Sequence, residues 1–113
     1  VVGTGNKVED FGVGFYTKYG DGGVDISPIA DCNKTEVWEL GKELGILKEI
    51  IDAPPTDGLW DDGRTDEGQL GLSYKELEEA MDNENSVNRD KYNSIRSANL
   101  HKMEPIPVCK IPN

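Results

Sequence analysis

Cysteine is nearly missing from this chain: Cys32 and Cys109 are its only two thiols in 113 residues. Two thiols so far apart make neither a disulfide framework nor a metal ligand set, and they suit a reducing, cytosolic setting. Basic residues are also short, 12 Lys and Arg against 22 Asp and Glu, giving a net charge of −10. That balance excludes the clustered cationic surface that nucleic acid or an anionic membrane requires. No stretch reaches the roughly 18 consecutive apolar residues of a membrane-spanning helix, and none has the pattern of a signal peptide. The G-x-x-x-x-G-K-[ST] pattern of a P-loop occurs nowhere. No internal repeat or low-complexity tract is found. With 35% apolar and 30% charged residues, the chain makes one domain at most, with a modest core.

What is present centres on Gly14–Lys34. Three aromatics, two lysines and four glycines crowd into these 21 residues without helical or strand periodicity. Tyr16 and Tyr19 flank Lys18. Asp21-Gly22-Gly23 is a turn signal, because glycine reaches positive φ without a Cβ clash. The stretch ends where a helix begins, so Lys34 is a cation beside the positive end of a helix macrodipole. That placement is mildly unfavourable alone, by ~0.3–1 kcal/mol, and becomes sensible when an anion shares the site. The plain alternative is an exposed lysine in a first turn.

The rest of the chain reads as alternating elements. Val1–Thr4, then Gly5-Asn6 and Lys7–Val13, predict a strand, a turn and a short helix, with Val24–Ser27 as a second strand candidate. Ligands of open α/β sheets sit at the C-terminal ends of strands, which places Thr4 and Glu9 at such an edge. A hydroxyl and a carboxylate there suit a nucleotide and a divalent cation; the plain reading of Glu9 is a solvated helix residue. Lys34–Leu44 is the clearest helix, with Asn33 and Glu36 as its cap pair, Gly45 as its stop, and Val37, Trp38, Leu40, Gly41 and Leu44 on its apolar face. Leu47–Ile51 is a second short apolar turn. Ala53–Leu72 holds two prolines, four glycines and five acids and reads as one long loop, a lid or a tether, with Trp60 exposed. Ser73–Asn83 is an amphipathic helix with a Ser73/Glu76 capping box, Tyr74, Leu77, Ala80 and Met81 inward, and Glu78, Glu79 and Asp82 in solvent. Asn88–Leu100 is a weaker helix carrying a thin stripe of Tyr92, Ile95 and Leu100. His101-Lys102, near the end, reads as ordinary surface.

These pieces, in order, resemble the C-terminal half of ammonia-dependent NAD synthetases. The motifs are GTGNKVED at 3–10, GFYTKYGDGGVD at 14–25, SPIADCNKTEVWELGKELG at 27–45, PPTDGLW at 54–60, RTDEGQLGLSY at 64–74 and LHK at 100–102. The resemblance implies an α/β fold: a fragment of the Rossmann-like adenine-nucleotide alpha-hydrolase architecture, a parallel sheet flanked by helices, with this half mainly helical. Residues 1–113 would be the C-terminal part of the synthetase domain. The implied reaction makes NAD from deamido-NAD, ATP and ammonia with magnesium, through an adenylated intermediate, releasing pyrophosphate and AMP. By the same resemblance Thr4, Lys34 and Thr56 match ATP-contacting positions, Glu9 a magnesium ligand, and Lys18, Asp25, His101 and Lys102 positions that contact deamido-NAD. No catalytic nucleophile or general base is implied. Members of the family are homodimers, and a cytoplasmic location is expected.

The pattern also has a gap. The family's pyrophosphate loop, SGGxDS, is absent, together with a second metal-binding acid and most of the sheet. Asp57-Gly58 stands where many members have Ala-Asp. Val1-Val2 reads as the end of a buried strand, and the apolar faces of Lys34–Leu44 and Ser73–Asn83 require a sheet that these residues do not supply. The expectation is a fragment that needs the N-terminal half and is inactive alone. The competing expectation is a non-catalytic module that binds nucleotide or a partner.

Overall fold

Ser73 opens the helix on which the core is built. Its backbone N–H donates to Glu76 Oε1 at 3.0 Å and its Oγ accepts from Glu76 N at 3.1 Å, a reciprocal cap that starts α4, Tyr74–Asp82. The structure is a computed structural model describing residues 1–112. Its elements in order are a π-helical turn at Val8–Val13, α1 at Lys34–Glu43, α2 at Lys48–Ile51, α3 at Asp66–Leu70, α4, α5 at Arg89–Asn99, and a 3₁₀ turn at Leu100–Lys102. The two strand candidates meet in a single parallel bridge, Val2 to Ile26, with Gly3 N donating to Ile26 O at 2.7 Å. No sheet forms among the described residues.

Tyr74, Leu77 and Ala80 are fully buried from α4, against Val8 and Val13 of the π-helical turn and Tyr92 of α5. The expectation that this face needs an outside sheet is therefore corrected. The chain's own α5 and π-helical turn cover it. α1 differs: none of its residues is buried among the described residues, and Leu40 and the C-cap Leu44 are 44% and 75% exposed. Trp38 is half-buried, its ring edge-on to Tyr74 at 6.3 Å between centroids.

Three further readings change. Ala53–Leu72 is not one loop, because Thr65 caps α3 by accepting from Gly68 N at 3.1 Å, and Asp66 N donates to Pro55 O at 2.9 Å. Glu78 is not a solvated acid. It is buried, and its Oε1 accepts from the hydroxyl and the backbone N–H of Thr35 at 2.7 and 3.3 Å, joining α4 to the start of α1. Neither Gly22 nor Gly23 adopts positive φ. Gly22 is needed for closeness instead, since a Cβ there would lie 2.7 Å from the Tyr16 ring.

α5 has only Tyr92 buried and Ile95 half-buried, too thin a stripe to hold it by apolar contact alone. Its polar side chains do more. Carbonyls at helix C-termini have no intrahelical donor and must find one elsewhere. Arg89 donates to Ala80 O at the end of α4, and Lys91 Nζ to Gly71 O, just past α3, at 2.9 Å. Arg96 donates to Phe11 O and Gly12 O, and Asn99 Nδ2 to Val13 O at 3.0 Å. Lys102 Nζ continues the series to Gly14 O and Tyr16 O at 2.9 and 2.7 Å. One helix thus supplies donors to the ends of three others.

Candidate functional site

Asn6 sets the first half of the site. It is buried, and its Oδ1 accepts from Val8 N and Glu9 N at 3.0 and 3.2 Å, capping the π-helical turn. Its own N–H donates to Glu9 Oε2 at 3.1 Å, which folds the Glu9 carboxylate back over the start of the turn. The next residue, Lys7, donates its N–H to Cys32 O at 2.8 Å. That bond brings the segment before α1 alongside, so Lys34 arrives beside Glu9 with Nζ 4.0 Å from Oε1. Both side chains are largely enclosed, 20% and 16% exposed, so the reading of Lys34 as exposed surface fails. At 4.0 Å the pair is loose, and the ammonium also lies 5.2 Å from the Tyr74 ring centroid.

Tyr74 completes this corner. Its hydroxyl lies 2.7 Å from Glu9 Oε1 and 3.2 Å from Asp66 Oδ2. Burial, then the neighbouring Glu9 and Asp66, push the phenol far above its ordinary value, so it stays a donor. Asp66 is buried, and its Oδ1 has no partner. Burial raises its carboxyl above the usual aspartate range; Glu9 and Asp57 add to the rise, and Lys34 works against it. The sequence reading placed Tyr74 only as a core residue and gave Asp66 no place. A phenol at an inward helix position must find a polar partner, and that signal points to both.

Thr56 lies across a cleft from Lys34. The cleft measures about 400 Å³ and runs between them over Trp38, Ile50, Ile51 and Pro55. Its floor is apolar and its polar groups are few, as in small-molecule sites. Thr56 Oγ1 donates to Arg64 O at 3.0 Å and accepts from Gly58 N at 3.1 Å, holding the hydroxyl in a turn. Thr4 is exposed, two residues beyond the Val2–Ile26 bridge.

Lys18, His101 and Lys102 form a second group. Lys18 Nζ donates to the carbonyls of His101 and Glu104 at 2.9 and 2.6 Å, and its ammonium lies 5.7 Å from the Tyr19 ring centroid. Lys102 makes its two carbonyl bonds from the other side and lies 5.7 Å from the Tyr16 ring centroid. An ammonium has three donors, so each lysine keeps one for a ligand. The His101 ring is exposed. A small cleft of about 170 Å³ adjoins this group, lined by Gly3, Asp10, Tyr16, Asp21, Ser27 and Lys102. Burial, then Glu9 and Asp21, raise the Asp10 carboxyl above its ordinary range. Asp25 stands apart, exposed beside the Val2–Ile26 bridge. The sequence-predicted residues thus fall into two groups, Glu9–Lys34–Thr56 and Lys18–His101–Lys102, with Thr4 and Asp25 at the bridge edge.

Two carboxylates, Glu9 and Asp66, meet at the Tyr74 hydroxyl, and Asp66 is sealed by burial. Among the described residues no group of three or more His, Cys, Asp or Glu could cage a metal. Magnesium is commonly held by one or two carboxylates with substrate phosphates and water completing the shell, so the single Glu9 carboxylate, 16% exposed, fits that ion.

The motif order has its counterpart in known proteins. A family model described as NAD synthase matches residues 1–110, and the chain belongs to that family. It is 54% identical over 81 residues to the NH(3)-dependent NAD(+) synthetase of Methanosarcina acetivorans, covering 72% of this chain and 31% of that one. It is 49% identical over 113 residues to the enzyme of the same name from Alkaliphilus oremlandii, covering 98% and 44%. Among solved structures, an NMN synthetase from Francisella tularensis superposes with a TM-score of 0.88 at 35% identity, covering 98% of this chain and 47% of that one. The chain spans less than half the length of each of these relatives. No helix among the described residues is long and apolar enough to cross a membrane.

Proposed function

We propose that this chain is the nucleotide-loop part of an ammonia-using NAD synthetase, working with a segment equivalent to the part of its relatives that it does not cover. The whole would take the Rossmann-like α/β fold, with the exposed face of α1 against the rest. It would act as a cytoplasmic homodimer on deamido-NAD, ATP and ammonia. The reading rests on one observation above others: Lys34 and Thr56 line one apolar cleft, and the Glu9 carboxylate lies 4.0 Å from the Lys34 ammonium.

The chemistry follows from these residue types. The nicotinate carboxylate of deamido-NAD attacks the α-phosphorus of ATP, the bond to pyrophosphate breaks, and ammonia then displaces AMP to leave the amide. The apolar cleft takes the adenine. Lys34 neutralises charge growing on the phosphates, and the hydroxyls of Thr4 and Thr56 fix the triphosphate. Magnesium, held by Glu9, supplies further charge neutralisation at the phosphates when bound. Lys18 and Lys102, each with a spare donor, receive the dinucleotide together with His101 and Asp25. The adenylation step needs no side-chain base, because the attacking carboxylate is already ionised; the proton that ammonia loses on forming the amide leaves with AMP or to water.

The test is Lys34→Ala in the complete synthetase. Pyrophosphate release should fall by an amount equivalent to ~2–4 kcal/mol of transition-state stabilisation, with deamido-NAD binding little changed. Unchanged turnover would remove Lys34 from the site. A second reading, amidation of the mononucleotide to give NMN, is favoured by the likeness to the Francisella tularensis protein. Turnover on the mononucleotide but not on deamido-NAD would select it.

A further inference from the structure

The Glu9 carboxylate is held by more than its own turn. The Tyr74 hydroxyl carries one proton and faces two carboxylates, at 2.7 Å for Glu9 and 3.2 Å for Asp66. One proton cannot serve both. The shorter contact takes it, and Glu9 Oε1 accepts. Asp66 Oδ2 then faces the phenol oxygen lone pair, while its other oxygen, Oδ1, is buried without a partner. Two acceptors would repel there, so the consistent arrangement has the Asp66 carboxyl donating to the Tyr74 oxygen. The resulting chain runs one way, from Asp66 to Tyr74 to Glu9.

The surroundings leave this chain little freedom. Tyr74 is fully buried, and Trp38 packs edge-on to its ring. Asp66 begins α3, anchored through its N–H to Pro55 O. With Asn6 N on Oε2 and Tyr74 on Oε1, each Glu9 oxygen has a fixed donor. Lys34, at 4.0 Å, is the one loose neighbour.

We propose that Tyr74 is a positioning residue for Glu9: its hydroxyl, oriented by Asp66, fixes the carboxylate in the pose that receives a divalent cation. Outer partners of this kind hold ligand groups in one orientation, and their loss typically weakens metal affinity ~10–100-fold. The inference rests on the reading above that Glu9 holds the cation, and on nothing else in that reading. It also gives the T-D-E…S-Y spacing a physical reason. Asp66 at the start of α3 and Tyr74 at the start of α4 are two helix entrances that meet over a third, the turn that carries Glu9.

The experiment uses Mn²⁺ as the probe in the complete synthetase with a non-hydrolysable ATP analogue, its binding followed by electron paramagnetic resonance. Glu9→Gln tests the underlying reading: unchanged Mn²⁺ affinity in that variant removes Glu9 as ligand and the inference with it. When Glu9→Gln does weaken binding, Tyr74→Phe decides the inference. The expected result is a loss of about 10-fold in Mn²⁺ affinity and a matching rise in the magnesium concentration for half-maximal rate. The rate at saturating magnesium should stay within about 3-fold, since the hydroxyl touches no reacting atom. Unchanged Mn²⁺ affinity in Tyr74→Phe would overturn the proposal. Should that variant fail to fold, Asp66→Asn and Asp66→Ala answer instead. The asparagine amide can donate to the Tyr74 oxygen as the acid does, so it should retain more Mn²⁺ affinity than alanine. Equal affinities for the two would overturn the role of Asp66.

Discussion

Replacing Gly14 by alanine should be among the most damaging single-methyl changes in the chain. Gly14 closes the π-helical turn at φ +70°, where an L-residue with a Cβ is strained by ~1–2 kcal/mol. A Cβ placed there would lie 2.5 Å from Asn99 Cβ and 3.3 Å from Met103 Cε. Asn99 cannot retreat freely, because its amide serves the carbonyls of Val13 and Ile95. Forcing a methyl into such a contact costs ~1–3 kcal/mol, so the total is about 2–5 kcal/mol. Gly45 is the internal control. It has the same backbone state, φ +72°, with nothing within 4 Å of the added atom, so Gly45→Ala should lose only the ~1–2 kcal/mol of backbone strain. Urea unfolding of both variants against the parent measures the difference directly. With a slope of ~1–3 kcal/mol per molar, Gly14→Ala should lower the midpoint by about 1–2 M and Gly45→Ala by clearly less. Equal losses for the two would show that α5 yields to the methyl and that its contact with the turn is not tight.

Other outcomes follow from the same contacts. Thr35→Val should destabilise by about 1–3 kcal/mol in thermal melts, since it strips the hydroxyl from a buried carboxylate, Glu78, that already has one unpartnered oxygen. Stability should fall as pH rises from 3.8 towards the raised value of Asp66, because across that window the folded state holds the proton and the unfolded chain does not. Asp66→Asn should flatten that part of the curve; an unaltered slope would assign it elsewhere, to Asp10 first. Trp60, stacked 4.0 Å from the Arg64 guanidinium on the segment between α2 and α3, should change emission and protease exposure when ATP and magnesium are added to the complete synthetase. Indifference of both signals would remove the lid reading. The isolated 113 residues, with Leu40 of α1, Ile50 of α2, and Leu44 and Leu47 between them exposed, should associate in sedimentation and release no pyrophosphate from ATP.

The helices with local signatures were legible in the sequence. Asn33 with Glu36 and Ser73 with Glu76 mark two helix starts to the residue, and the glycine after Leu44 marks a stop, because capping is a matter of near neighbours. The burial of Glu78 was not legible. Its spacing matches a solvated face, and only Thr35, 43 residues earlier, makes it an interior group. The π-helical turn was read as a short helix without its hand-off of carbonyls to α5, since those donors lie more than 80 residues away. Lys34 and Glu9 stand out by their places at a helix start and a strand end, and Thr56 by motif resemblance, whereas the contacts that bring Lys34 to Glu9, through Cys32 O, and Tyr74 to Glu9 belong to the tertiary fold. Asp25, a motif neighbour of Lys18, lies exposed beside the Val2–Ile26 bridge, a placement that only the fold reveals.

The donors of α5 have a consequence for which changes in length the chain tolerates. Arg96, Asn99 and Lys102 reach successive carbonyls from Phe11 to Tyr16, so the helix and the turn are read against each other like two ruled edges. Each residue of a helix turns the next by about 100°, and one residue inserted between Arg96 and Lys102 would swing Lys102 and the Lys18 anchor at His101 O off their marks together. The same insertion beside Val87, 97% exposed in the turn between α4 and α5, would disturb only that turn's own hydrogen bonds around Ser86. Length variation among relatives should therefore gather at that turn and stop at Arg89.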